Sequence, residues 1–438
     1  MLRCFSCCAT NCVAVPCRLV EAVIVVPGVP TALIEALVAA AAGARLALVG
    51  GAVRDLLLHQ EHRDPWRGLP DLDLVVEGQA RELVAHLPQL LPAGSSCVWR
   101  EHGSFGTVAV EVDLPGVGQW MLDIASARRE RYPAPAANPV VSPGCLEDDL
   151  ARRDFSVNAM ALLLQGSGQA SASLLDPYGG QKDLARRSLR LLHSTSLVDD
   201  PTRLVRAARY AARLKFQLDA SACDQAHAVI SQWPWGWRMG DPAQQVPPAL
   251  GTRLRMELDL LLEREPWRAA LAHLQAWGGL ALLDPGLQRS TTWPVALRRA
   301  ARLQLPPLAC LLACADDPVA LAARLQLPHR QQQWLKGLTQ LRRQLAQLDP
   351  ALQRCWGAAQ WTELLERVPD PIPVVSLALA CADRPRRPLL RWWLVWRHVQ
   401  PEHSARELLA QGVPAGPALG ARLRELRAQR LHALQPQR

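Results

Sequence analysis

LVGGAVRDLLL (residues 48–58) and, beyond a polar, Pro-containing loop over 60–70, DLDLVVEG (71–78) read as strand, glycine turn, helix, loop and strand. ARLALV (44–49) is a short apolar strand that runs into Gly50-Gly51, and AVRDLLLH (52–59) restarts as a helix. In DLDLVV, Asp alternates with apolar residues, the period-2 signature of a half-buried strand. That alternation sets Asp71 and Asp73 on one face, about 7 Å apart along the strand. Two carboxylates so placed can bridge divalent cations, which activate an attacking hydroxyl and neutralise a triphosphate. Gly50 and Gly51 let the backbone approach a phosphate closely, at a helix start whose amides favour anions. Arg54, one turn on, reaches the same phosphates. Each feature alone has a plain reading: an exposed D-x-D is a solvated pair, and a G-G is a loop. The ordered combination is much more specific.

Outward from this stretch, TALIEALVAAAAG (31–43) reads as an Ala/Leu-rich helix closed by Gly43, and residues 79–90 read as another helix. GTVAVEVDL (106–114) and WMLDIASA (120–127) read as two further strands. A mixed sheet with flanking helices therefore fills roughly residues 20–165. Asp123 stands in the last of these strands, either as a third carboxylate beside the pair or as a structural or solvent-facing Asp. Arg128 faces substrate or lies on the surface. After about residue 184 strand signals nearly vanish, and Pro-rich breaks near 241–248, 304–307, 369–373 and 413–417 separate Leu/Ala/Arg-rich helical blocks. The Trp392-Trp393 pair reads as core or groove wall.

Two more constellations follow. In EDDLARRDFSVNAMAL (147–162) Arg152 and Arg153 are adjacent and so point to different sides, one toward a salt bridge, the other toward a ligand phosphate or ribose. Asp154 reads as a structural cap or pair, and Phe155, Val157 and Met160 as core. In DDPTRLVRAARYAARLKF (199–216) Asp200 precedes Pro201, which suits Asp200 as helix cap and Pro201 as the first helical residue. Arg203, Arg206 and Arg209 follow at three-residue spacing and cover an arc of roughly 120°. The stripe lacks acidic partners one turn away along its own helix. An Asp200/Arg203 pair matches the amine donor and ring acceptor on the pairing edges of cytosine and adenine, and mismatches guanine and uracil. Arg206 and Arg209 are then left for phosphate or the other side of the base.

The chain has 438 residues, a formal charge of +9 and only three lysines, Lys182, Lys215 and Lys336. An Arg-rich basic balance suits a polyanionic partner, although Arg/Ala/Leu/Pro codon bias produces the same excess. No apolar run approaches the ~20 residues of a membrane span. Five of the twelve cysteines, Cys4, Cys7, Cys8, Cys12 and Cys17, crowd the start without a second pair at zinc-site spacing. That start lacks the features of a secretory signal, so a disordered extension and a cytoplasmic location are expected.

In this order and spacing the motifs resemble those of the bacterial tRNA nucleotidyltransferase/poly(A) polymerase family, the group that contains CCA-adding enzymes. LVGGAVRD with DLDLV resembles its catalytic motif and RRDFSVNAMAL its ribose-selecting motif. LLDPYGGQKDL (174–184) resembles the head-to-neck connector, and DDPTRLVRAARYAARLKF the base-selecting helix. TRLRMELDLLL (252–262) and GVPAGPALGARLREL (412–426) resemble later neck and tail segments. The resemblance implies an α+β fold: a polymerase-β-like mixed-sheet head over 30–165 behind an extension over 1–29, then an elongated helical neck over 166–265 and body and tail over 266–438. It implies that Asp71 and Asp73 hold Mg2+; Asp123 stays the further candidate catalytic carboxylate on its strand position alone. Gly51, Arg54, Arg153, Asp200, Arg203, Arg206 and Arg209 would contact CTP or ATP, and a tRNA acceptor end would lie on the basic helices. Segment 126–144 corresponds to a flexible loop linked to adding the terminal A. Two positions depart from the pattern: Asp199 stands for the usual Glu and Thr252 for another Glu. No His-Asp doublet occurs, so the phosphohydrolase domain of some relatives is not expected. The expected activity is template-independent addition of CMP and/or AMP to a tRNA 3′ end. An A-adding or CC-adding enzyme and a poly(A) polymerase share the same residues. A non-catalytic RNA-binding module would have lost Asp71 or Asp73, and a small-molecule transferase would not need the long Arg-rich helical region.

Overall fold

The computed structural model describes residues 19–25, 28–66, 68, 72–102, 106–167 and 169–434. Its internal contacts divide the chain into two units, one running to Arg203 and including Leu214–Gln225, the other comprising Leu204–Arg213 and the chain from Ala226 onward.

In the first unit the strands are β1 (Leu19–Val25), β2 (Leu46–Val49), β3 (Leu72–Val76), β4 (Ser96–His102), β5 (Thr107–Leu114), β6 (Gly118–Ser126), β7 (Arg128–Arg131), β8 (Val140–Pro143), β9 (Ala161–Ser167) and β10 (Gln169–Leu175). The helices are α1 (Thr31–Ala40), α2 (Gly51–His62), α3 (Ala80–Leu90), α4 (Leu146–Ala151), α5 (Gly180–Ala185) and α6 (Ser196–Asp199); α7 (Thr202–Leu214) starts in this unit, but its residues Leu204–Arg213 belong to the second. Eight strands form one mixed sheet in the order β1-β10-β9-β2-β3-β6-β5-β4. The β3–β6 pairing is parallel and the others are antiparallel.

The sheet has two different faces because its strands alternate. Leu72 and Leu74 lie in register with Leu122 and Ile124, and Val110 and Val108 continue that row on β5. All six are buried, on the side where α3 packs with Leu83, Val84 and Leu87. On the opposite face, Val75 and its register partner Ala125 belong to a cluster with Ala47, Val49 and Ala161, capped by Leu146 and Leu150 of α4. Burying such side chains contributes about 1.5–3 kcal/mol each, so α4 is firmly seated over that part of the sheet.

Two expected boundaries move. Leu19–Val25, assigned by sequence to an extension over 1–29, forms β1 and pairs antiparallel with β10. Its sequence, LVEAVIV, has the β-branched composition that favours a pleated strand. The sheet also runs past residue 165, because β9 and β10 form a hairpin with Ala161 opposite Leu175. Segment 126–144, expected as a flexible loop, contains a two-stranded ribbon in which Arg128 pairs with Pro143 and Arg131 with Val140. Its tip is anchored by buried Ala136, whose amide donates to the Val198 carbonyl at 3.1 Å.

The second unit is helical, as expected. Helices start on the anticipated prolines, at Pro307, Pro371 and Pro417, where the missing amide costs no intrahelical bond. Trp392 is buried and its indole donates to Glu366 at 3.1 Å, while Trp393 donates to Ser376 at 2.8 Å, which bears out the core reading. Glu366 also accepts two bonds from Arg427, fixing the helix Pro417–Ala433. Arg324 is buried; it donates to the carbonyls of Leu282 and Leu283, lies over the Trp237 ring and feels the Asp284 charge. Among the described residues no helix is long and apolar enough to cross a membrane.

Candidate active site

The face covered by α4 at Val75 and Ala125 is uncovered two residues earlier, where Asp73 on β3 and Asp123 on β6 lie side by side in register. Both are exposed. Neighbouring strands run about 4.8 Å apart, so parallel pairing alone brings the two carboxylates together. The strand beyond contributes Ala109 opposite Asp123, a small side chain that leaves the face open. Of the two readings of Asp123, this placement favours the carboxylate beside the acidic strand. Asp71, the first Asp of the D-x-D, lies outside the described residues.

The glycine turn emerges at the same end. β2 pairs antiparallel with β3, Leu48 opposite Leu74, so the chain leaves β2 beside the end of β3 that carries Asp73. Gly50 has φ +72°, a left-handed conformation that a side chain resists, and a Cβ there would sit 3.0 Å from the Arg153 guanidinium. A Cβ on Gly51 would meet the Arg54 guanidinium at 3.3 Å. The bare turn therefore admits two arginines against the N-terminus of α2, a concentration of positive charge and amide donors suited to phosphate.

Each arginine is oriented by a partner. Arg54 is buried; its Nε donates to Asp55 at 2.8 Å and a terminal nitrogen to Asn158 at 2.8 Å. Asn158 donates in turn to Asp154 at 2.9 Å, and Asp154 accepts the Phe155 amide, which is the structural role expected of it. Phe155, Val157 and Met160 are fully buried. Asp149, also fully buried, divides its carboxylate between the two adjacent arginines: Oδ1 accepts from Arg152 and Oδ2 from Arg153. Arg152 reaches on to Glu130 of the ribbon, while Arg153 turns to the glycines and keeps a buried Nε with no protein partner. A guanidinium N–H left without a protein partner beside a helix start can be met by an anionic ligand or by water. Asn158, Asp149 and Glu130 were not singled out from sequence; the first two sit inside the stretch EDDLARRDFSVNAMAL (147–162), but only the fold shows which arginine each one orients.

Asp200 and Arg203 flank the start of α7 and both are buried. Asp200 Oδ1 accepts the amide and the hydroxyl of Thr202 at 3.1 and 2.6 Å. The helix begins one place later than expected, with Pro201 at the cap position and Thr202 as its first residue, so Asp200 sits just before the cap and braces the start through Thr202. Arg203 donates to the Arg152 carbonyl at 2.9 Å and lies against the Ser196 carbonyl. The Asp200 and Arg203 pair is thereby tied to the same Arg152–Arg153 segment.

Arg206 and Arg209 belong to the second unit. Arg206 donates to Glu257 at 3.1 Å and to the Tyr210 hydroxyl, Arg209 pairs with Glu257 and Glu265, and Arg213 lies 3.6 Å from Glu265. The absence of acidic partners along α7 holds, but Glu257, in the RMELD segment of another helix, pairs with two of the three arginines of the stripe, Arg206 and Arg209. The structure brings Asp73, Asp123, Gly51, Arg54, Arg153, Asp200 and Arg203 into the first unit and sets Arg206 and Arg209 in an ion-pair network of the second.

The tightest cluster of possible metal ligands among the described residues lies elsewhere, at Glu77, Cys145 and Glu147. Arg45 fills it, with ion pairs of 2.5 and 2.7 Å to the two glutamates, and the Leu146 amide donates to Glu77. The hydrogen bond from Arg45 holds Glu147 below the usual carboxylate range against the opposing effect of burial. This cluster clamps α4 to the ends of β2 and β3.

Comparison with known proteins agrees with the motifs. Residues 46–190 match the poly A polymerase head domain. The chain is 41% identical over 287 residues to the CC-adding tRNA nucleotidyltransferase of Deinococcus radiodurans, covering 65% of this chain and 68% of that protein. It is 40% identical over 184 residues to the A-adding tRNA nucleotidyltransferase of Aquifex aeolicus, covering 40% of this chain and 19% of that protein. It is 34% identical over 250 residues to the multifunctional CCA protein of Leptothrix cholodnii, covering 56% of this chain and 50% of that protein. Among solved structures, an apo CCA-adding enzyme superposes with a TM-score of 0.67 at 23% identity, over 92% of this chain and 91% of that one. The Thermotoga maritima CCA-adding enzyme complexed with tRNA gives 0.62 at 22% identity, over 93% and 92%. At those identities the structural likeness bears on the fold.

Proposed function

The chain belongs to the bacterial tRNA nucleotidyltransferase/poly(A) polymerase family, and we propose that it adds CMP and/or AMP from CTP and ATP to the 3′ end of tRNA. The observation that carries this reading is the exposed Asp73–Asp123 pair, in register on parallel strands beside a glycine turn lined by Arg54 and Arg153. The relatives act on tRNA by name, and differ among themselves in adding CC, A or CCA.

Nucleotidyltransferases of this type use divalent metal ions, and the donor set fits them: exposed carboxylate oxygens are hard ligands. We assign the ion as Mg2+, held by Asp71, Asp73 and Asp123. When bound it neutralises triphosphate charge and makes the tRNA 3′-hydroxyl more acidic. The chain's own residues position the substrate. The α2 amides with Gly51, Arg54 and Arg153 hold the phosphates, and the Asp149 and Asn158 partners keep both guanidiniums aimed. Asp200 and Arg203, buried and anchored through Thr202 and the Arg152 carbonyl, present an acceptor and a donor to the nucleobase edge. Cytosine and adenine match that order and guanine and uracil reverse it. The 3′-oxygen then attacks the α-phosphorus and pyrophosphate leaves, a displacement for which alignment supplies much of the rate. A cytoplasmic location accords with a tRNA substrate.

CC addition alone is a second reading, supported by the Deinococcus relative, of which the chain spans 68%. Incorporation on tRNA ending before CCA, after C and after CC separates the readings. Addition of all three nucleotides supports CCA synthesis, arrest after CC supports the CC-adding reading, and no incorporation on any tRNA overturns the proposal.

A further inference from the structure

Outside the site described, the second unit gathers three cysteines around one arginine. Cys314 follows the helix Pro307–Leu312, and Cys381 ends the helix Pro371–Cys381. Their sulfurs lie 3.8 Å apart, although 67 residues separate them in sequence. Both are half-buried; Cys310, one turn before Cys314, is buried. Arg342 ties the two segments together, donating to the carbonyl of Ala313 at 2.8 Å and to both oxygens of Asp383 at 2.8 and 3.2 Å. It thus bonds to the residue before Cys314 and to the one two places after Cys381.

We propose that Cys314 and Cys381 are a redox-modifiable dithiol, converted by a peroxide-class oxidant into a disulfide between these two segments. The arrangement supplies an attacking and a resolving sulfur. Hydrogen bonds from Cys310 and Cys314, together with the nearby Arg342 charge, hold the Cys381 thiol well below its ordinary range. Donating that bond pushes the Cys314 thiol up. Cys381 is therefore the nucleophile: its thiolate attacks one peroxide oxygen, the O–O bond breaks, and a sulfenic acid forms with release of water after proton uptake. The Cys314 sulfur then attacks the sulfenic sulfur, the S–S bond forms, and the S–O bond breaks to release a second water as the Cys314 proton is taken up. Two thiols are oxidised and one hydrogen peroxide is reduced to two waters. The two sulfurs, 3.8 Å apart, are in van der Waals contact and close to about 2.05 Å in the disulfide.

The full chain carries its own control in exposed Cys355. Under limiting iodoacetamide at about pH 6.5, peptide mass spectrometry should find Cys381 alkylated at least about tenfold faster than Cys355, because the thiolate is the reactive form. Stoichiometric hydrogen peroxide should give a Cys314–Cys381-linked peptide that dithiothreitol removes. Cys314→Ser should leave Cys381 as a sulfenic acid trapped by dimedone, and Cys381→Ser should leave Cys314 unoxidised. Slower alkylation of Cys381 than of Cys355, absence of the linked peptide, or oxidation of Cys314 in the Cys381→Ser chain would each overturn the assignment.

Discussion

At the scale of single residues, the proposed function rests on Asp73 and Asp123, which adjacent strands bring together. If Asp123 is a metal-holding carboxylate, Asp123→Asn should lower single-turnover CMP incorporation by about 10³-fold or more, the order expected when a group that stabilises transition-state charge is removed. tRNA binding, read by filter retention, should be unchanged. A loss below tenfold would return Asp123 to a structural role. Arg203 makes a second residue-level test. Its guanidinium is buried and aimed by the Arg152 and Ser196 carbonyls, so Arg203→Ala should let UTP and GTP compete while CTP and ATP lose efficiency. Selection that stays as strict as in the parent chain would contradict base reading by this side chain.

At the scale of elements, two short pieces matter: the turn into α2 and the single turn and a half of α4. The turn needs Gly50 both for its φ of +72° and for the 3.0 Å approach of Arg153. Gly50→Ala should therefore cost about 1–3 kcal/mol of local strain and raise the KM for CTP by displacing Arg153; an unchanged KM would show that Arg153 does not serve the phosphates. α4 is clamped by Arg45 through Glu147, whose carboxyl is held below its ordinary range by that hydrogen bond. A lowered carboxyl pKa adds stability that is complete above the unfolded value of about 4.3 and is lost as pH falls through the folded value. Arg45→Met should therefore melt lower than the parent chain at about pH 7, with the difference shrinking below about pH 4. An equal difference at both would place the clamp's contribution in packing. The alternation of DLDLVV and the proline-marked helix starts were legible in the sequence because they are local. The β7–β8 ribbon was not, because its order comes from distant contacts: Ala136 on the Val198 carbonyl, Arg129 on Asp148, and Glu130 on Arg152.

At the scale of the whole molecule, the division is between an α+β unit that holds the Asp73 and Asp123 carboxylates, the glycine turn and the Asp200 and Arg203 pair, and a helical unit rich in arginine. Order and type of element could be read from periodicity, and the first unit's chemistry from three motifs. The partners of the arginines could not. Glu257 lies 48 residues beyond Arg209, and no spacing rule connects them; the stripe on α7 looks unneutralised until the helix Thr252–Arg264 is in place. Nor does sequence show that Asp123 is level with Asp73, since register between β3 and β6 depends on how the intervening α3, β4 and β5 fold back. The most direct test is single-turnover incorporation of CMP and AMP, with Mg2+, into tRNA ending before CCA, by the parent chain and by Asp73→Asn. The expected result is stepwise extension of the tRNA 3′ end by the parent chain, and extension reduced at least about 10³-fold in the variant with tRNA binding retained. Full-rate extension by Asp73→Asn would contradict the assignment of this acidic face as the catalytic site.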